Sequence, residues 1–126
     1  MGPVQRAVMN TVHSGDKLHT PAQKAEFEVA QVGGNGIILL LGKKQARTPL
    51  SWECLEGIPK FLEGKGWVDI GTKFDTSADP TTLDGYLKGC IKRATAGWVA
   101  VVLERSGVIE IDRSRPARVC LNSSFN

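Results

Sequence analysis

The residues best suited to chemistry in this chain are cations. Lys92 and Arg93 are adjacent, and Arg113, Arg115 and Arg118 cluster around a serine and a proline. Guanidinium forks and ammonium point charges at such spacing suit the oxygens of phosphate groups. Lys43, Lys44 and Arg47 form a second cluster within GKKQART. Solvated strand-end charge is the plain reading of that segment, and a supplementary phosphate contact is the functional one.

Other chemistries find little support. Cys54, Cys90 and Cys120 are odd in number, form no CxxC pair and stand apart from His13 and His19. Neither a disulfide framework nor a zinc site is expected, and buried reduced thiols are. No nucleophile elbow or spaced triad is visible, so no catalytic residue, metal or cofactor is assigned. Gly36 followed by Gly42, Lys43 and Lys44 superficially resembles a phosphate-binding loop. Its spacing is one residue too long, and no Ser or Thr follows the lysine. Trp52, Trp67 and Trp98 are expected to fill core. The N-terminus has no apolar signal core. Ile37–Leu41 is far shorter than the roughly 20 residues of a membrane helix. A cytoplasmic protein without a membrane partner is expected.

With 126 residues, one compact domain is expected, and its net charge of +3 is too small to name a partner. Val4, Val8 and Val12 fit one helical stripe with Pro3 in its first turn, as a docking helix or an arm. Residues 13–25 read as a loop. Phe27–Val32 and Ile37–Leu41 flank Gly33–Gly34–Asn35–Gly36 and predict a hairpin whose second strand is central or covered. Ser51 caps a helix through Trp52, Cys54 and Leu55, interrupted by Gly57 and Pro59. Trp67, Val68 and Ile70 predict a short strand. Phe74 is expected to pin the following polar loop to the core. Asp79 or Thr81 caps a helix carrying Leu83 and Leu87. Thr95 caps another with Trp98, Val99, Val102 and Leu103, ending at Gly107. Arg105 suits the dipole of its last turn. Val108–Ile111 and Ala117–Leu121 then form a ribbon.

From residue 51 the order is helix, strand, helix, helix, strand, strand, with a basic loop between the last two strands. That order resembles the winged helix-turn-helix over about residues 51–121, most specifically in VAVVLERSGVIEIDRSRPARVCL. The resemblance implies an α+β fold: a winged-helix-like unit preceded by an N-terminal β-hairpin extension. Residues 1–50 would pack on the main domain, and 122–126 would be a polar tail. In winged helices the third helix enters the major groove and the wing contacts backbone or minor groove. The resemblance therefore points to Lys92, Arg93, Thr95 and Ala96 at the start of the third helix, and to Arg113, Arg115 and Arg118 on the wing. The third helix has few polar side chains that could read base edges. Backbone-dominated binding, or a winged helix used for protein contacts, is the consequence.

Charge placement agrees with a polyanion. Residues 85–121 hold Lys88, Lys92, Arg93, Arg105, Arg113, Arg115 and Arg118 against Glu104, Glu110 and Asp112. Residues 51–80 are the reverse, with Lys60, Lys65 and Lys73 against six carboxylates. A one-sided basic footprint is what nucleic-acid binders carry. The expected function is thus a non-catalytic nucleic-acid-binding domain, with DNA ahead of RNA. Its contacts would be Lys88, Lys92, Arg93, Thr95, Arg113, Arg115 and Arg118, supplemented by Lys43, Lys44 and Arg47. One alternative is a protein-interaction or oligomerisation module, a homodimer included, using the apolar hairpin and the Trp98 helix. Another is a small-ligand-binding protein with a pocket near Trp52, Trp67 and His13.

Overall fold

The computed structural model describes residues 2–20, 25–42, 44–71, 81–90, 95–114 and 117–125. Helix α1 (Pro3–Thr11) is docked rather than a free arm: Val4, Val8 and the following Val12 are all buried. A spacing of four places them on one face. The helix has no cap of its own. The carboxylate of Glu56, 52 positions away, accepts from the backbone nitrogens of Val4 at 3.0 Å and Gln5 at 2.9 Å. That satisfies two orphan donors and sets a negative charge against the positive end of the helix. Gly2 makes the approach possible, because a Cβ there would overlap the carboxylate.

Four strands follow as an antiparallel meander in the order β1-β2-β3-β4: β1 (Lys17–His19), β2 (Glu26–Gly33), β3 (Gly36–Leu41) and β4 (Ala46–Ser51). The expected hairpin is β2–β3, but it is the middle of a four-stranded sheet. β1 has one inward residue, Leu18. β4 has only Thr48 and Leu50 inward, and it carries Pro49. A proline is tolerated there because β4 is an edge strand, paired only with β3. Within β3, Ile37, Leu39 and Leu41 face the core, while Ile38 and Leu40 are half-buried on the outer face.

β4 passes without a loop into α2 (Trp52–Glu56), where the Ser51 hydroxyl accepts from Cys54 N. Trp52 is buried, and its Nε1 donates to the Gly33 carbonyl at 2.7 Å, tying the helix to the hairpin turn. α3 (Ile58–Leu62) follows across Gly57. The Tyr86 hydroxyl donates to the Cys54 carbonyl at 2.8 Å, and its ring stacks on Phe61 at 4.9 Å. A Cβ at position 57 would strike that hydroxyl.

The remaining elements are β5 (Val68–Asp69), α4 (Leu83–Lys88), α5 (Ala96–Arg105), β6 (Ile109–Asp112) and β7 (Arg118–Leu121). They include a second antiparallel sheet, β5-β7-β6. The molecule is thus a mixed α+β fold with two small antiparallel sheets. Thr82, rather than Asp79 or Thr81, caps α4 by accepting from Gly85 N at 2.9 Å. α5 is packed by α1, β1, α4 and β6, and Ala96 and Val99–Leu103 are buried. One apolar cluster joins Leu39 and Leu50 of the first sheet to Leu55, Leu103 and Val119, so positions 1–50 and 51–121 share a core.

Two expectations fail here. Cys54 and Cys90 are joined in a disulfide, and only Cys120 is free. The partners are 36 residues apart, and α2 and the end of α4 bring them together. Cys54 is buried and Cys90 exposed. In the chain-entropy model such a closure is worth about 4 kcal/mol. Trp67 is 47% exposed instead of filling core. Phe74 lies outside the described residues. Among the described residues, no helix is long and apolar enough to cross a membrane.

Replacing Glu56 with Ala should lower stability by about 1–2 kcal/mol in urea unfolding; an unchanged midpoint would refute the capping role. Desolvation raises the Tyr86 pKa above its ordinary value of 10.0. The associated stability is fully present below about pH 10 and is lost as pH rises through the folded value. Tyr86 is the only tyrosine, so phenolate absorbance reads it alone. Its midpoint should exceed about 10 in native protein and return to about 10 in denaturant. Equal midpoints would contradict the burial.

Candidate nucleic-acid interface

The ribbon expected as a wing is the hairpin β6–β7, in register from Ile109↔Leu121 to Asp112↔Arg118. Arg113 leaves β6 and folds back onto α5. Its Nη1 and Nη2 each lie 2.7 Å from a carboxylate oxygen of Glu104. Those hydrogen bonds raise the Arg113 pKa above its ordinary value, so it stays charged. Across the hairpin, Arg118 Nη2 donates to Asp112 Oδ2 at 3.1 Å. Asp112 also accepts from Ser114 N at 3.0 Å and Ser114 Oγ at 2.5 Å, which shapes the first half of the turn. The Ser114 bonds, with Arg118 adding to them, hold the Asp112 carboxyl below its ordinary range.

Arg113 and Arg118, the two described arginines of this hairpin's outer end, are therefore matched by carboxylates. Both remain accessible, Arg113 at 39% and Arg118 at 43%. Exposed pairs of this kind are weak in water, and a phosphate can compete for the same forks.

Lys88 is placed differently. Its Nζ is 3.0 Å from Asp84 Oδ2, and Asp84 is only 1% exposed. Lys88 thus pairs with a buried carboxylate while its own side chain stays 21% exposed. Thr95 and Ala96 are also buried, at 0% and 2%. The expectation that Thr95 faces a nucleic acid is thus corrected: its side chain is wholly covered where α5 begins. Only Arg105 is exposed on α5, with Gly97, Trp98 and Glu104 half-buried. Those four positions fall along one side of the helix, where Glu104 and Arg105 are the only charged side chains.

Lys44 and Arg47 are exposed, at the β3–β4 turn and on β4, and no ion pair holds them among the described residues. Arg47 lines an open groove of about 570 Å³ with Gln31, Asn35, Ile38, Pro49 and Cys90. Neither Trp52, Trp67 nor His13 borders it. Lys43, Lys92, Arg93 and Arg115 lie outside the described residues.

A second, smaller cleft of about 260 Å³ lies between β1 and α5, bordered by Lys17, His19, Glu104, Arg105 and Arg113. Sequence reading misses its first two members by placing residues 13–25 in a loop, and counts Arg105 in the basic footprint without naming it as a contact. The available signal was the short polar–apolar–polar alternation Lys17–Leu18–His19. Among the described residues no three His, Cys, Asp or Glu side chains are grouped to hold a metal ion. No family model matches the chain, and no curated protein or solved structure does either.

Replacing Lys88 with Ala should cost about 2 kcal/mol of stability through its buried partner. If that variant instead folds like the parent but loses DNA affinity, Lys88 is a surface contact.

Proposed function

We propose that the chain is a non-catalytic nucleic-acid-binding domain, built on a winged-helix-like unit and holding DNA by its phosphates. The supporting observation is the sheet order β5-β7-β6. A helix–strand–helix–helix–strand–strand chain closes into a winged unit when its lone strand joins the terminal hairpin. β5 does so by pairing with β7, Val68 opposite Val119. The hairpin is thereby supported from one side and carries Arg113 and Arg118 at its outer end.

Base reading by α5 is not part of the proposal. The helix that enters the major groove in winged helices is here a core helix, with Thr95 to Leu103 mostly buried. Binding is then a sum of phosphate contacts from the wing, from Lys44 and Arg47, and from the Lys92–Arg93 pair. Such contacts fix position and carry affinity without sequence information.

A second reading, protein contact, rests on Trp67, the one large apolar side chain exposed among the described residues. The surfaces first expected for it are less available. Ile37, Leu39 and Leu41 face inward, and Trp98 is half-buried.

Fluorescence anisotropy with duplex and single-stranded DNA at two salt concentrations separates these readings. If three phosphates are neutralised, the log–log salt slope on duplex should be about −2.7. No binding at low salt, or binding indifferent to salt, overturns the proposal.

A further inference from the structure

We infer that the cleft between β1 and α5 seats one backbone phosphate of the bound nucleic acid, with Lys17 and Arg105 as its main ligands. The inference rests on the nucleic-acid reading above and adds a specific site to it, one to which both halves of the chain contribute.

Charge carries the first part of the case. Three permanent cations, Lys17, Arg105 and Arg113, border the cleft against one carboxylate, Glu104. Glu104 already engages both Nη atoms of Arg113. Lys17 and Arg105 are exposed, and no ion pair within 4.0 Å holds either among the described residues. Glu28 stands opposite Lys17 in the strand register, and no such pair joins them. His19 adds a ring nitrogen at the rim, with Glu26 at 3.8 Å.

Size carries the second part. The cleft measures about 260 Å³. Pockets that take whole small molecules begin near roughly 300 Å³, so this one suits a single charged group on a larger ligand. The opposing effect is the C-terminal end of α5, which presents a partial charge of about −0.5. Two full positive charges outweigh it, and Arg105 sits in that last turn. Because Arg113 borders the same cleft, a strand bound along the wing reaches Lys17 without leaving the surface. The N-terminal sheet thus supplies a ligand as well as a cover for α5.

The test compares wild type, the double variant Lys17→Ala/Arg105→Ala, and a charge-matched control at exposed sites outside the cleft, Arg6→Ala/Lys60→Ala. Each is titrated into labelled duplex DNA at several salt concentrations after thermal unfolding has confirmed folding. Wild-type protein is also followed by amide NMR during titration. The cleft variant should bind about 10-fold more weakly, with a salt slope shallower by about 0.9 per lost phosphate. The control should stay within about 2-fold of wild type, and amide shifts should include 17–20 and 104–105 alongside the wing. If the double variant fails to fold, Lys17→Gln alone, on an exposed edge strand, carries the same comparison with a smaller expected loss. A cleft variant that binds like wild type, or a control that loses as much, overturns the site and leaves the nucleic-acid reading standing. Wild type that binds no DNA at low salt overturns both.

Discussion

Helix α5 has almost no side left for water, and most of the architecture answers to that. A helix apolar around most of its circumference is stable only when covered. One sheet or one helix cannot cover it, so α1, β1, α4 and β6 all pack against it. The N-terminal residues are therefore part of the same core. Two hydrogen-bonded ties hold them in place: Trp52 to the Gly33 carbonyl, and Glu56 to the first turn of α1. Both reach out from α2, which makes that five-residue helix the point where α1 and the first sheet are tied together.

Covering α5 leaves most polar chemistry to turns and strands, with Arg105 in its last turn as the exception. Arg113 and Arg118 each have a carboxylate partner, whereas Lys44, Arg47, Lys17 and Arg105 have none among the described residues. A paired arginine is oriented but partly neutralised, and an unpaired one is charged but mobile. An anion contacting both kinds would gain direction from the first and attraction from the second.

Much of the local structure was legible in the chain. The Val4, Val8, Val12 stripe, the β2–β3 hairpin, the Ser51 cap and the terminal ribbon all follow from periodicity and turn chemistry, which act over a few residues. What escaped was either short or long-range. β1 and β4 bury one and two residues, too few for a period to register. The Cys54–Cys90 bond and the Glu56 cap join positions 36 and 52 apart, where no spacing rule applies. The same split runs through the site. The cations could be named from sequence, but their partners depend on how the ribbon packs on α5 and on which side chains α4 buries. Thr95 shows the difficulty most directly: a helix-start threonine beside two cations suggests a contact surface, yet it is wholly covered.

The borders of the sheets have a consequence for behaviour at high concentration. An open strand is a template onto which another chain can add its own backbone. Here the outer strand β4 interrupts that template with Pro49 and presents Arg47 beside it. The opposite border, β1, is three residues long and has α5 packed against it. In the second sheet the border strands are β5, of two residues, and β6, of four, with α5 packed against it. With so little unbroken backbone on these borders, the fold is built to resist strand-to-strand polymerisation, even though β3 inside it is a run of aliphatic residues that would be hazardous if uncovered.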